Sequence, residues 1–143
     1  MPLSLEPLNK TALNSTRDRL IEVSGELFAE RGFDSVSLRM ITESANANLA
    51  AVNYHFGSKE ELILAVVEDI VGPVNEKRLE QLGGIDSNSS NSLKAIIHAF
   101  IDPVFDVTNA DVGADNKYYK LISRCIASRD ERVSSIIIRQ FPE

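Results

Sequence analysis

Residues 37–56 read SLRMITESANANLAAVNYHF. Ser37 stands ahead of a helical pattern, where a short polar side chain caps the first free amides. Leu38, Ile41 and Ala45 follow at steps of three and four, the inner face of a helix over 37–45. Asn46, Ala47 and Asn48 interrupt that pattern, and Asn48 is a second N-cap candidate. Val52 and Phe56 then mark the buried side of a helix over 49–55. Two short helices joined by a three-residue turn have the shape of a helix-turn-helix, whose second helix enters the DNA major groove.

Upstream, Leu20, Val23, Leu27 and Phe28 lie on one face of a predicted helix over 15–31, with Ile21 and Ser24 beside them. Arg17, Arg19, Glu22, Glu26 and Glu30 fall on the wet side. Gly32 stands where a left-handed C-terminal cap is wanted, and Phe33 can fold back on the helix end. Residues 1–14 show no period and read as a mobile arm. Downstream, Ser58 and Glu61 have capping-box spacing. They open a helix carrying Leu62, Ile63, Val66, Val67, Ile70, Val71 and Val74. Gly72-Pro73 is expected to kink or divide it, because proline removes a backbone donor and clashes with the preceding turn; the helix resumes to about Leu82.

Residues 83–91 are a Gly/Ser/Asn loop. A helix over 92–107 carries a wide apolar stripe: Leu93, Ile96, Ile97, Phe100, Ile101, Val104 and Phe105, bent by Pro103. After a loop over 108–116, Tyr118, Leu121, Ile122, Cys125 and Ile126 have helical spacing within 117–127. Residues 128–131 cap a last helix with Val133, Ile136 and Ile137 inside. No strand pattern, internal repeat or long low-complexity tract interrupts this reading. The expected fold is all-α, with about seven helices: a helix-turn-helix unit over 15–60 and a helical regulatory unit over 61–143.

The 143 residues are 43% hydrophobic and 25% charged, ordinary for a globular chain. The net charge of −6 divides evenly, −3 in residues 1–65 and −3 in residues 66–143. Any grip on DNA must therefore come from a local face and backbone amides, not from bulk charge. The single cysteine, Cys125, excludes an intrachain disulfide. With no basic, apolar leader and no run of roughly 20 apolar residues, a cytoplasmic location without membrane insertion is expected. HExxH, CxxC, P-loop and GxGxxG patterns are absent, and two histidines with one cysteine make no metal site. Neither an enzyme nor a cofactor is expected.

The stretch LFAERGFDSVSLRMITESANANLAAVNYHFGSKEELILAV, residues 27–66, resembles the DNA-binding domain of the tetracycline-repressor (TetR) family of bacterial transcription regulators. LFAERGF ends the first helix, Ser37 opens the second, and YHF-x-SKEEL leads from the third into the fourth. NLAAVNYHFGSKEEL further resembles the fatty-acid-responsive repressors of the PsrA type. Two positions depart from the family pattern: Asn53 stands where tyrosine is frequent, and Asn48 where serine or threonine is usual. Family members run to about nine helices, with the last two building the dimer interface; an incomplete C-terminal unit is therefore expected here.

The resemblance implies a ligand-responsive repressor that binds double-stranded operator DNA as a homodimer. Asn53 is the expected base reader, since its amide matches adenine bidentately. Leu49, Ala50 and Ala51 offer apolar contacts, such as to thymine methyls. Tyr54, His55 and Lys59 match the family's phosphate-contacting positions. Ser37 and Arg39 at the start of the second helix, Asn48 at the third, and Arg17 on the first complete the set. In the second half Phe100, Ile101, Phe105, Tyr118, Tyr119 and Ile122 could line an effector pocket, with His98 and Arg124 meeting a polar head group. The subgroup implies a small hydrophobic, fatty-acid-like effector. The competing reading is a helical interaction or small-molecule-binding module without specific DNA affinity.

Overall fold

Four side chains start the first four helices in the same way. Ser15, Ser37, Asn48 and Ser58 have extended backbones, and each side-chain oxygen accepts the backbone N–H three residues on, at 3.1, 3.2, 2.9 and 3.1 Å. These caps begin α1 (Thr16–Arg31), α2 (Leu38–Ser44), α3 (Leu49–His55) and α4 (Lys59–Gly83). Then follow α5 (Ser92–Val107), α6 (Lys117–Ala127) and α7 (Glu131–Arg139). The computed structural model describes residues 15–86, 88–107 and 116–139, and no strand occurs among them. The expected arm over 1–14, most of the loop over 108–116, and the side chains of Tyr118, Ile136 and Ile137 lie outside the described residues.

The core runs from α1 through α2 and α3 into the first half of α4. Leu20, Phe28, Val36, Ile41, Val52, Leu62 and Val66 are fully enclosed. On α1 the deepest positions are Leu20, Ile21, Ser24, Gly25, Phe28 and Ala29, while Val23 and Leu27 are only half-buried. The buried face is therefore turned from the stripe of large residues toward small ones. The reason is close approach to α4: a Cβ on Gly25 would lie 3.4 Å from Val66 Cγ1 and 3.6 Å from Ile70 Cδ1. Large side chains would hold the two helices apart.

The end of α1 depends on Gly32. Its N–H donates to the Phe28 carbonyl at 2.9 Å, and its backbone sits at φ 82°, ψ 164°. This is positive φ, as anticipated, but with an extended ψ that only glycine adopts readily. The turn brings Phe33 back onto Phe28, edge to face, with centroids 5.3 Å apart. Gly32→Ala is expected to cost about 1–3 kcal/mol, read as a lower urea midpoint at unchanged slope. Unchanged stability would show that the backbone there relaxes freely.

Pro73 does not divide α4, which continues through it to Gly83. The proline is exposed, so its ring faces solvent. Beyond it, α4 packs against α5. Lys77 pairs with Asp106 at 2.9 Å. Arg78 donates from Nε to the Phe100 carbonyl at 3.0 Å and lies 5.4 Å over the Phe100 ring. Pro103, three residues on, has no N–H to donate, so the neighbouring carbonyl of Ala99 lacks its helical donor.

The orientation of α5 differs from what its stripe suggests. Ala99 and Pro103 are its buried residues, and Leu93, Ile96, Ile97, Ile101 and Phe105 are exposed. The α4 surface accepts a small residue and the flat proline ring, with Phe100 half-buried under Arg78, while Leu93, Ile97 and Ile101 point elsewhere. Helix α6 lies on α1 through Leu121 and Cys125, and α7 reaches α4 through Val133. Burial pushes the Cys125 thiol up to about 11. Helix α7 is capped by Asp130, whose carboxylate accepts the Arg132 N–H at 2.9 Å; that bond lowers its pKa.

Candidate nucleic-acid interface

Helix α3 packs against α1 and α2. Val52 is enclosed and Phe56 half-buried, which fixes the helix's rotation and turns residues 49, 50, 53 and 54 outward. Tyr54 is 86% exposed and Leu49 53% exposed, the degree of freedom a base- or phosphate-contacting side chain needs. Ala50 and Asn53 are exposed between them. Ala51 falls on the other side, half-buried against the core. The turn before α3 is held by Asn46 at φ 48°, a left-handed conformation that asparagine tolerates.

The rim carries the polar donors. His55 is half-buried, with Tyr54 edge-on at 5.0 Å. Arg17 reaches from the first turn of α1 over the Phe56 ring, 5.5 Å from its centroid. Ser37 and Arg39 are both exposed at the start of α2. Arg39 Nε donates to Glu43 Oε1 at 2.8 Å, and that hydrogen bond and the carboxylate charge hold its pKa further up. A phosphate taken by Arg39 would have to displace or share this contact. Lys59 is half-buried at the start of α4. It borders an open cleft of about 450 Å³ with Phe33, Asp34, Glu60, Arg124 and Asp130.

The residues expected to line an effector pocket are not gathered in one place. On α5, Ile101 and Phe105 are exposed and Phe100 is half-buried beneath Arg78. His98 pairs with Asp102 at 3.2 Å on the surface. On α6, Tyr119 and Arg124 border a shallow groove beside Ala29 and Glu30, and Ile122 packs on the core. The physical reason is the rotation of α5, which turns its large residues away from the body instead of toward α6.

Three contacts escaped the sequence reading. Arg124 Nη2 donates to the Glu30 carbonyl at 3.3 Å, at the C-terminal end of α1, and its guanidinium lies against Gly32. Arg132 lies 3.5 Å from Glu61, so the expected capping-box carboxylate faces α7. Arg78 bridges Asn75 and Phe100. These partners are 94, 71 and 22 residues apart for the first, second and last links, beyond any local signal. Among the described residues, no three His, Cys, Asp or Glu side chains are placed to hold a metal. No helix there is long and apolar enough to cross a membrane.

Residues 20–66 match the family described as bacterial regulatory proteins, tetR family. The transcriptional repressor NicS of Pseudomonas putida is 33% identical over 61 residues, covering 43% of this chain and 29% of that protein. The icaADBC negative transcriptional regulator IcaR of Staphylococcus epidermidis is 29% identical over 127 residues, 89% of this chain and 62% of that one. The chain thus spans less than two thirds of the length of these relatives. Among solved structures, Salmonella enterica GusR superposes with a TM-score of 0.61 at 22% identity, over 94% of this chain and 64% of that chain. SmeT in its triclosan complex gives 0.64 at 19% identity, over 87% and 58%.

Proposed function

We propose that the chain is a ligand-responsive transcriptional repressor acting in the cytoplasm, from the premise that residues 20–66, which match the bacterial tetR family, are its DNA-reading helix-turn-helix. The observation that carries this reading is the outward face of α3. Leu49, Ala50, Asn53 and Tyr54 stand clear of the core there, and donors lie around them. Asn53 reads a base edge, Leu49 and Ala50 make apolar contacts, and Ala51 supports the helix from its inner side. Arg17, Ser37, Arg39, Asn48, Tyr54, His55 and Lys59 hold phosphates and set the register. A homodimer places two such heads about 34 Å apart, one helical turn of DNA or a multiple of it.

Residues 15–60 are the reading unit and residues 61–143 the regulatory one. The effector is a small hydrophobic molecule of fatty-acid-like character, supported by the likeness of residues 48–62 to the PsrA type. The similar fold of SmeT in complex with a small molecule, triclosan, also supports it. Tyr119 and Arg124, which border one groove beside Ala29 and Glu30, are its candidate contacts. Such a molecule releases DNA only to the extent that it binds the two arrangements of the protein with different affinity.

The test is fluorescence anisotropy with the DNA upstream of the protein's own gene, at low salt, against a scrambled duplex. Preference for the upstream sequence is expected, and equal affinity for both duplexes would end the repressor reading. Lys59→Ala should weaken binding to all sequences alike and reduce the slope of log K against log salt by about one. An unchanged slope would remove Lys59 from the phosphate contacts.

A further inference from the structure

The cleft beside Lys59 has about 450 Å³ of space and three walls. The end of α1 with the residues up to Ser35 forms one, the start of α4 the second, and the corner between α6 and α7 the third. These segments pack on one another, with Ile63 and Val133 buried between them, so the shape of the cleft is set within the described residues. Its volume lies in the range of small-molecule sites, roughly 300–1,000 Å³. Each wall carries a cation: Arg31 on α1, Lys59 on α4 and Arg129 at the corner. None of the three has an ion pair among the described residues. In a chain of net charge −6, with acids in excess, unpaired cations on all three walls of one cleft call for a ligand.

The remaining charges of the cleft leave that demand in place. Arg124 is already held by the Glu30 carbonyl at 3.3 Å. Asp130 accepts the Arg132 N–H at 2.9 Å and lies 3.5 Å from its guanidinium, so its charge is engaged. Asp34 and Glu60 also border the cleft, exposed, and are outnumbered by the unpaired cations. Helices α4 and α7 both begin there, and the positive ends of their dipoles add to the attraction for an anion. Cations on three walls cannot be served by a single charged group. We propose that this cleft binds a small molecule carrying two or more anionic groups, phosphoryl or carboxylate, and that such a ligand draws Lys59 away from DNA. Arg31 and Arg129 take the anionic groups with their planar forks, and Lys59 adds a point charge. The site is separate from the groove at Tyr119 and takes a ligand of opposite character. Because both ligands claim Lys59, the anion weakens DNA binding by the same factor as DNA weakens anion binding.

Anion binding stands without the DNA-reading proposal, whereas its effect on DNA rests on that proposal. The first is tested without DNA, by calorimetry on the full-length protein with pyrophosphate and, separately, citrate, at constant ionic strength. Acetate serves as the singly charged control. Saturable one-to-one binding of pyrophosphate or citrate is expected, and which of them binds tighter tells phosphoryl from carboxylate recognition. Arg31→Ala and Arg129→Ala should each weaken it by at least about tenfold, the loss of one hydrogen bond to a charged group. Lys94→Ala, on α5 and outside the cleft, should leave it unchanged. Heats that fail to saturate with both probes overturn the site. So does binding that survives both arginine variants, or that Lys94→Ala weakens as much. The second measurement is anisotropy with the upstream duplex. The tighter anion should weaken wild-type binding beyond sodium chloride of equal ionic strength, and Arg129→Ala should abolish the difference. Unchanged DNA affinity with the anion bound overturns the competition for Lys59. Failure of the repressor reading shows separately, as equal affinity for upstream and scrambled duplexes, and leaves the calorimetry untouched.

Discussion

Phe28→Ala is expected to remove about 3–5 kcal/mol of stability, the range for truncating a buried aromatic side chain. Phe28 is fully enclosed and sits where α1, the Gly32 turn and the core of the head converge. Its ring also meets Phe33 edge-on, a geometry that adds about 0.5–1.5 kcal/mol beyond burial. The surroundings cannot close over the gap, because the Gly32 backbone is anchored to the Phe28 carbonyl and Phe33 follows directly. Domains of this size are stable by roughly 5–15 kcal/mol, so the loss is a large share of the total. Urea unfolding should show a much lower midpoint with the slope preserved. A change below about 1 kcal/mol would mean that the head is not organised around this ring.

Asn53→Ala should cost about 1–3 kcal/mol of operator affinity, or roughly 5- to 150-fold, with little change on nonspecific DNA. The side chain is exposed and has no hydrogen bond or ion pair among the described residues, so stability should be unaffected. The diagnostic result lies in the pattern of loss. If Asn53 reads an adenine through its amide, the variant loses discrimination at one base pair per half-site and keeps it elsewhere. An equal loss across every sequence would make Asn53 a backbone contact, and no loss would place base reading on Leu49 and Ala50.

The parts of this molecule that were legible in the sequence are those set by chemistry within a few residues. Ser37, Asn48 and Ser58 cap because a short side-chain oxygen can reach an amide three positions on; Ser15, expected as the first helical residue, caps α1 in the same way. Gly32 and Phe33 were legible because a positive φ and a folded-back ring are both local consequences of ending a helix. The outward placement of Asn53 and Tyr54 follows from Val52, with Phe56 one turn on, marking the buried side of α3. Ala51 was harder: a methyl side chain has no preference strong enough to declare a face, and its half-burial depends on neighbouring helices. Periodicity located the apolar stripe of α5 but did not say where it points, since that depends on what α4 offers opposite it. Arg124 with Glu30 and Arg132 with Glu61 depend on how distant segments dock.

Because Pro73 leaves α4 unbroken, its 25 residues act mechanically as one lever about 37 Å long. Pivoted at one end, such a lever sweeps about 0.6 Å at the other for each degree of tilt. Three degrees at the end that carries α5 would therefore carry Lys59 through about 2 Å, more than half the length of a hydrogen bond. In a two-headed protein with both levers tilting, the mismatch doubles against a groove spacing that DNA holds nearly constant. Under the proposed repressor reading, whatever seats the far end of α4 would set the spacing of the two heads with a mechanical advantage that contacts at the DNA lack.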